Sequence, residues 1–166
     1  NLVRRQKVES VAPSLSYKQL LPEWRDAGIV HLAPVAREVE NDFINAFPKA
    51  FLGVTPQGWM RSWGADGVVT ASSWTNANAV LSRANAVVVS IEDVEERSQI
   101  EQWAEKARVL VVTHGSAGAV VYHGGKQEHS AAFSTGKVVD PTGAGDFFAA
   151  AFFIRLAESD RKSTRL

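Results

Sequence analysis

The sequence predicts an α/β protein, an α/β/α sandwich whose mainly parallel central sheet lies between layers of helices. Four short, mostly apolar segments are typical of strands buried on both faces: 29–32, 50–54, 86–89 and 109–112. Three segments with the apolar spacing of helices separate them: 38–47, 75–84 and 93–107. Alternating strands and helices favour a parallel sheet, which binds ligands at the carboxyl ends of its strands. We therefore expect the functional site just after those ends.

Two regions carry more detailed patterns. In the helix predicted at 93–107, five apolar residues can share one face and leave the charged residues outside: Val94, Ile100, Trp103, Ala104 and Ala107. Farther along the chain, turn-forming residues at 116–118 and 124–125 bracket a further strand at 119–123. This arrangement predicts a hairpin at the edge of the sheet.

The last predicted element is a helix over 144–158. Val138 and Val139 predict a strand that leads into this helix through a glycine-rich turn. Because residues 147–154 are apolar on every side of a helix, we expect the helix to be central and buried. We expect residues 159–166, which are mostly polar, to form a flexible tail.

The composition is that of a single globular domain. Of the 166 residues, 45% are hydrophobic and 22% are charged, which favours a packed core. Eighteen basic residues balance eighteen acidic ones, so we expect neither nucleic acid nor a membrane surface as partner. The chain has no cysteine, which excludes disulfides and thiolate catalysis and fits a reducing compartment. We therefore expect a cytoplasmic location.

The strongest chemical feature is the glycine-rich loop at 140–146, with the sequence DPTGAGD. Backbone N–H groups at a helix start attract anions, and Gly143 and Gly145 carry no side chain that would block a phosphate. Asp146 lies in the first turn of the predicted helix, where the ionised carboxylate is favoured and can accept a proton. On these residues alone, a glycine turn whose Asp merely stabilises the helix is the alternative interpretation.

The loop and the apolar helix after it resemble the signature of the ribokinase/PfkB family of carbohydrate kinases, with Pro141 where Thr is common. The resemblance implies a ribokinase-like fold and ATP-dependent phosphoryl transfer to a hydroxyl of a sugar, cyclitol or nucleoside. It implies that Asp146 is the catalytic base. It also implies that four residues form the phosphate-binding anion hole: Thr142, Gly143, Ala144 and Gly145.

Two further segments are similar to the family in the expected order. Residues 84–93 resemble a strand ending in an Asn/Ser-x-x-Glu/Asp motif, which implies that Ser90 binds nucleotide and that Asp93 helps hold Mg²⁺ through water. Without the resemblance, this motif is also a good helix N-cap. Residues 111–119 resemble a Thr-x-Gly-x-x-Gly segment, otherwise an ordinary hairpin turn. In the family it lies along the nucleotide, which implies that role for three residues: Thr113, Gly115 and Gly118.

A fourth segment, 53–61, looks like the Gln-x-x-x-Arg pattern of some sugar and inositol kinase branches of the family. The sequence leaves the roles of Gln57 and Arg61 open. Arg61 fits an anion contact, but it also fits a solvated side chain beside Trp59 or Trp63. No role is therefore assigned to this segment from the sequence.

We interpret residues 1–166 as one partial ribokinase-like domain that carries the nucleotide-binding and catalytic part, with ATP and Mg²⁺ as the implied cofactors. Nothing in the sequence resembles the family's sugar-binding and lid region or its final adenine segment. A noncatalytic nucleotide-binding fragment of such a kinase is the alternative. A dinucleotide oxidoreductase would need Gly-x-Gly-x-x-Gly after an early strand, and the sequence lacks that arrangement. The oligomeric state, including a homodimer, stays open.

Overall fold

The computed structural model describes residues 6–133, 136, 138 and 140–163. Its main sheet contains six strands: β1 (Ile29–Leu32), β2 (Phe51–Val54), β5 (Ala86–Ser90), β6 (Val109–Thr113), β7 (Ala119–His123) and β8 (Lys126–Ser130). Two further strands, β3 (Arg61–Trp63) and β4 (Val69–Ala71), form a separate antiparallel ribbon. The helices are α1 (Phe43–Ala46), α2 (Ala77–Arg83), α3 (Ser98–Lys106) and α4 (Ala144–Ser163).

The main sheet has the order β1-β2-β5-β6-β7-β8. Its first four strands are parallel, and β7 and β8 add the antiparallel hairpin predicted at the edge. Residues in β2, β5 and β6 alternate between two hydrophobic cores, because successive side chains of a strand point to opposite faces. Burial on both faces explains why these strands read as continuous apolar runs in the sequence.

One face of the sheet is covered by α1, α2 and α3. Phe43, Val80, Leu81 and Trp103 from this helical layer are buried against strand residues that include Leu52. The edge-on contact between Trp74 and Trp103, with ring centroids 5.4 Å apart, belongs to the same core. This face holds the larger of the two cores.

The other face is covered by α4. Ala149, Phe153 and Ala157, which recur at helical spacing, are all buried against it. Gly53 makes the fit possible, because a Cβ at that position would overlap the ring of Phe153. Helices on both sides of a largely parallel sheet confirm the predicted α/β/α architecture.

The direction of α4 follows from contacts near its C-terminus. Arg108, which directly precedes β6, forms a 2.8 Å ion pair with Asp160. Arg161 donates a hydrogen bond of 3.5 Å to the carbonyl of Gly28, which directly precedes β1. The C-terminus of α4 therefore lies at the amino ends of the parallel strands. Its N-terminus, which carries the glycine-rich loop, lies at their carboxyl ends.

All three helices predicted between the strands are shorter than expected, and the one predicted at 75–84, observed as α2, is shortened least. The helix predicted at 38–47 is reduced to α1, because the Glu38 carboxylate accepts hydrogen bonds from the backbone N–H groups of Val35 and Ala36 and holds a turn there. The helix predicted at 93–107 begins only at Ser98. A single 3₁₀ turn, Ile91–Asp93, comes before it.

The last helix also differs from its prediction. It continues to Ser163, so residues 159–163 are helical where a flexible tail was expected, and residues 164–166 lie outside the described residues. Although α4 packs on the sheet, it is not buried on every side, because Phe147 is 79% exposed and Ile154 is 47% exposed. Val138 lies in irregular chain, and Val139, the second residue of the strand predicted there, is outside the described residues.

Candidate functional site

The carboxyl ends of β5 and β6 place two predicted nucleotide-binding residues side by side. Ser90 and Thr113 are partners in the parallel register that joins these strands. Both belong to the set of strand positions that faces α4, since Ala86, Val88, Val109 and Val111 in the same alternation pack in the core beneath that helix. Ser90 and Thr113 therefore lie on the side of the sheet from which the glycine-rich loop approaches.

Each of these two side chains also makes a hydrogen bond to the backbone of the protein. The Ser90 hydroxyl accepts a hydrogen bond of 3.2 Å from the backbone N–H of Glu92, which caps the 3₁₀ turn after β5. Thr113 donates from its hydroxyl to the carbonyl of Val89 at 3.3 Å. Both side chains are half-buried, so each keeps a surface that a ligand can reach.

The segment after β6 forms a tight turn. The N–H of His114 donates to the carbonyl of Gly118 at 2.7 Å. Gly118 has a structural reason to be glycine, because a Cβ there would overlap the Ser130 carbonyl of β8. Gly115 faces open space, with no heavy atom within 4 Å of the position that a Cβ would take. Of the two glycines, Gly115 is therefore the one open to a ligand.

The glycine-rich loop is exposed and internally braced. The Asp140 carboxylate accepts a hydrogen bond of 2.9 Å from the N–H of Thr142, and the carbonyl of Pro141 accepts one of 3.1 Å from the N–H of Ala144. The amides of Thr142 and Ala144 are thus already used by the loop. Helix geometry leaves the amides of the next residues, Gly145 and Asp146, without an intrahelical acceptor.

Asp146 lies on the sheet-facing side of α4. At 100° per residue it falls within about 60° of Ala149, Phe153 and Ala157, the three residues that bury the helix. Those residues pack against the strands, whereas Asp146, one turn nearer the N-terminus, is exposed beyond the strand ends. The carboxylate is therefore aimed at the edge where the site was predicted, and solvent reaches it.

Asp93 has very different surroundings. Its two carboxylate oxygens accept hydrogen bonds from the side-chain amide of Gln57, at 3.1 Å and 2.9 Å. The guanidinium of Arg61 lies 3.8 Å from one of the same oxygens, and the exposed fractions of the Arg61 and Asp93 side chains are 15% and 18%. The two residues whose roles the sequence left open thus hold the carboxylate that was predicted to approach Mg²⁺.

His31 is a site neighbour that the sequence analysis missed. Its Nε2 lies 3.0 Å from the Thr55 hydroxyl, and its ring meets the edge of Phe153 at a centroid distance of 5.0 Å. Burial lowers the pKa of His31, whereas the nearby Asp146 carboxylate raises it, and the net pKa is below its ordinary value.

The described residues contain no group of three His, Cys, Asp or Glu side chains that could hold a metal by themselves. Asp93 offers one hard carboxylate ligand, which the hydrogen bonds from Gln57 hold in place. That donor set fits Mg²⁺, which commonly keeps several waters and takes one or two carboxylates together with substrate phosphates.

Among the residues that the structure describes, no helix has the length and apolarity needed to cross a membrane.

A glycine-rich loop that opens a helix at the carboxyl edge of a parallel sheet is typical of α/β proteins that bind phosphate groups. The chain belongs to the pfkB family of carbohydrate kinases, whose family description matches residues 69–165. The matched region contains every residue to which the resemblance assigned a role.

The chain is also similar to several known kinases. A nucleoside kinase of Methanocaldococcus jannaschii is 43% identical over 54 residues, which are 32% of this chain and 18% of the relative. A pyrophosphate-dependent kinase of the ribokinase family, solved with a pyrophosphate analogue and myo-inositol, superposes with a TM-score of 0.76 at 19% identity. A ribokinase of Arabidopsis thaliana, solved with ribose and ATP, superposes with a TM-score of 0.54 at 25% identity.

These superpositions cover most of this chain but only part of the larger proteins. The first covers 95% of this chain and 59% of the pyrophosphate-dependent kinase, and the second covers 80% and 44%. The chain therefore spans about three fifths of the first of these structures. Its fold is ribokinase-like, as the resemblance implied.

Proposed function

We propose that this chain carries the phosphoryl-transfer centre of a kinase that phosphorylates a hydroxyl of a sugar, cyclitol or nucleoside. The observation that carries the proposal is the position of Asp146, exposed in the first turn of α4 at the carboxyl edge of the sheet. A base placed there can reach an acceptor hydroxyl while the helix start faces the donor phosphate. The family match over residues 69–165 supports this reading.

In the proposed reaction, Asp146 takes the proton of the acceptor hydroxyl. The acceptor oxygen then forms a bond to the terminal phosphorus of ATP, the bond from that phosphorus to the bridging oxygen breaks, and ADP leaves. The Asp146 carboxylate needs no unusual environment for this step, because proton transfer in the transition state requires only correct placement and an ionised base. No covalent intermediate with the protein is formed.

The glycine-rich loop would bind the transferred phosphoryl group. Thr142, Gly143, Ala144 and Gly145 were predicted as the anion hole, but the amides of Thr142 and Ala144 already have acceptors within the loop. We therefore assign anion binding to the amides of Gly143, Gly145 and Asp146, together with the Thr142 hydroxyl. Amides at a helix start stabilise negative charge as it develops in the transition state.

The nucleotide would lie along the ends of β5 and β6, against Ser90, Thr113 and Gly115. Gly118 would act indirectly, by allowing the hairpin turn to close against β8. Asp93 would contact Mg²⁺ through water, and the ion when bound would neutralise charge on the donor phosphates. Gln57 and Arg61 would keep the Asp93 carboxylate in one orientation for that contact.

An assay of donor and acceptor pairs tests this function. The purified chain is incubated with Mg²⁺, with ATP or pyrophosphate as donor, and with ribose, myo-inositol or adenosine as acceptor. Phosphorus NMR follows the product, and calorimetry measures donor binding separately. We expect acceptor-dependent formation of a phosphomonoester with at least one pair.

The assay also separates the alternative function. A noncatalytic nucleotide-binding fragment would bind ATP with no transfer to any acceptor. A chain that neither binds a donor nor transfers a phosphoryl group would contradict both functions. The pyrophosphate arm is included because one of the structurally similar kinases is described as pyrophosphate-dependent.

A further inference from the structure

A cavity of about 720 Å³ lies at the amino ends of the parallel strands, opposite the edge that carries Asp146. The residues that directly precede the four parallel strands all line this cavity: Gly28, Ala50, Asn85 and Arg108. The last turns of α4 contribute Ala157, Asp160 and Arg161. Along the axis of α4, Asp160 is about 21 Å from Asp146. The cavity is therefore separate from the proposed phosphoryl-transfer centre.

The lining of this cavity is positively charged. Four basic residues line it, each from a different part of the chain: Lys49, Arg83, Arg108 and Arg161. Among the described residues, the lining contains one acidic residue, Asp160, which forms the 2.8 Å ion pair with Arg108. The basic residues exceed the acidic ones by three, although the chain as a whole carries equal numbers of both. A surplus of one sign on a concave surface favours a ligand of the opposite charge.

Two of the guanidinium groups are held by backbone carbonyls beside the cavity. Arg83 donates a hydrogen bond of 2.6 Å to the carbonyl of Phe47, and Arg161 donates one of 3.5 Å to the carbonyl of Gly28. Each of these contacts is made by one nitrogen, whereas a guanidinium has five N–H donors. Both side chains therefore keep N–H donors with which they can bind a ligand.

Asn85 and Lys49 add two further donor groups. The side-chain oxygen of Asn85 accepts a hydrogen bond of 2.9 Å from the backbone N–H of Leu52, which orients the carboxamide and leaves its NH₂ group as a donor. Lys49 is exposed, and it makes no hydrogen bond or ion pair with another residue that the structure describes. Its ammonium group can therefore turn to a ligand in the cavity.

Helix stabilisation accounts for only part of this charge. Arg83 and Arg161 lie in the last turns of α2 and α4, where a basic residue offsets the negative end of the helix dipole. Lys49 has no such role, because it lies in the loop between α1 and β2. The meeting of all four basic residues at one cavity therefore calls for a second reason.

We propose that this cavity is a second anion site, which binds a small molecule that carries two or more phosphate groups. A guanidinium matches the oxygens of a phosphate with paired hydrogen bonds, and three arginines line the cavity. A surplus of three positive charges suits a diphosphate or triphosphate better than a singly charged ligand. The volume falls within the range of about 300–1,000 Å³ that is usual for small-molecule sites. This inference does not depend on the proposed kinase function.

A titration of the chain followed by NMR tests the site by its position. The backbone amide signals of Gly28 and Asn85 and the Nε–H signals of the three arginines report on the cavity, and the amide signal of Gly145 reports on the glycine-rich loop. The ligands added are pyrophosphate and ATP, and citrate is the control that carries several negative charges but no phosphate. With at least one of the two phosphate ligands, we expect the cavity signals to reach half-saturation below about 1 mM at physiological salt.

Citrate should shift the cavity signals much less. An equal response to citrate would overturn the assignment to phosphate groups. If the signal of Gly145 moves and the cavity signals do not, the phosphate ligands bind only at the glycine-rich loop and the proposed site is wrong.

Two paired variants show whether the basic side chains hold the ligand. Lys49→Gln/Arg161→Gln removes two of the four positive charges, and we expect the concentration for half-saturation of the cavity signals to rise about 10-fold. The matched control, Lys126→Gln/Arg155→Gln, removes the same charge at exposed positions of β8 and α4 that do not line the cavity. It should change that concentration by less than about 2-fold. An unchanged affinity in the first variant, shown to be folded by thermal unfolding, contradicts the proposal.

The titration and the transfer assay separate the failure of this inference from the failure of the proposed function. If no phosphoryl transfer is found but the cavity signals saturate and weaken in Lys49→Gln/Arg161→Gln, the second anion site stands and the kinase function is wrong. If transfer is found but the cavity signals do not move, the function stands and the second anion site is wrong.

Discussion

Asp93 and Asp146 lie at the same edge of the sheet in opposite surroundings. Asp93 has a side chain that is 18% exposed, with both oxygens bonded to Gln57 and with Arg61 3.8 Å away. Asp146 is exposed in the first turn of α4, at the carboxyl edge of the sheet. One carboxylate is held in place, and the other is open to a substrate.

The difference suits the two roles proposed for these carboxylates. A carboxylate that accepts bonds on both oxygens keeps one orientation, which suits contact with an ion through water. An exposed carboxylate at a helix start can approach a bound hydroxyl and accept its proton. The position of Asp93 depends on side chains near it, whereas that of Asp146 depends on how α4 is seated on the sheet.

The largest effect on stability is expected from Phe153→Ala, which removes a side chain that packs α4 against the sheet. Phe153 is 1% exposed and packs over Gly53 between His31 and Phe51. We expect the free energy of unfolding to fall by about 3–5 kcal/mol, measured by urea denaturation. The control is Phe148→Ala on the same helix, at a side chain that is 38% exposed, where we expect a loss of about 1 kcal/mol or less. Equal losses in the two variants would show that Phe153 does not position the helix that carries Asp146.

A smaller effect is expected from Gln57→Leu, which removes the two hydrogen bonds to Asp93. Because a partly buried carboxylate then loses donors, we expect the free energy of unfolding to fall by about 1–3 kcal/mol. Gln102→Leu, at an exposed position of α3, should stay within about 0.5 kcal/mol of the wild type.

A double-mutant cycle shows whether the loss belongs to Asp93. In the background of Asp93→Asn, which removes the charge, Gln57→Leu should cost less than in the wild type. The same cost in both backgrounds would mean that Gln57 does not hold Asp93, and the contrast between the two carboxylates would lose its structural basis.

The smallest effect concerns a third carboxylate, Glu38, which lies apart from the proposed chemistry. Partial burial raises the pKa of Glu38, but hydrogen bonds from the N–H groups of Val35 and Ala36 outweigh it and hold the pKa below its ordinary value. This stabilisation is present above the unfolded-state pKa, about 4.3, and is lost as the pH falls through the lower folded-state pKa. We expect it to be worth less than about 1 kcal/mol because water screens it.

Thermal midpoints of the wild type and Glu38→Gln, measured from pH 7 to pH 3, test this expectation. The wild type should be slightly more stable at pH 7, and the difference should disappear at acidic pH. A difference that persists at pH 3 would show that the carboxylate charge is not its cause.

Several strands of the main sheet could be predicted because a strand buried on both faces is a continuous apolar run in the sequence. In β2, β5 and β6 both faces are covered, so the apolar runs in the sequence mark the strands within one residue of the observed ends. The helices were harder. Phe43, Ile44 and Phe47 are buried as their spacing predicted, but Glu38 binds the turn before them and the regular helix begins only at Phe43.

The last helix shows a different limit of sequence reasoning. Its apolar residues predicted burial on every side, yet periodicity does not state how many faces of a helix have partners. In the structure, Ala149, Phe153 and Ala157 are buried, whereas Phe147 and Ile154 are not. Helical spacing predicts that Ala149, Phe153 and Ala157 share one face of the helix. It does not predict that Phe147 and Ile154, which are also apolar, are exposed.

Candidate site residues could be proposed from the sequence where a motif is contiguous. The loop at 140–146 and the ends of β5 and β6 were proposed in this way. Gln57 and Asp93 are 36 residues apart in the sequence. Gln57 follows β2 and Asp93 follows β5, and the parallel pairing of these two strands brings the two residues together. His31 gave no signal at all, because its contacts with Thr55 and Phe153 exist only in the folded chain.

The central claim, that Asp146 is the base of a phosphoryl-transfer centre, is tested most directly by the turnover of Asp146→Asn. With the donor and acceptor pair found active, turnover should fall by about 10²–10⁴-fold, while donor binding measured by calorimetry stays close to that of the wild type. Asp160→Asn, at the far end of the same helix, should keep normal turnover. If Asp146 only stabilises the start of α4, its loss is worth about 0.3–1 kcal/mol of stability, and turnover should be nearly intact. Near-normal turnover in Asp146→Asn would contradict the account.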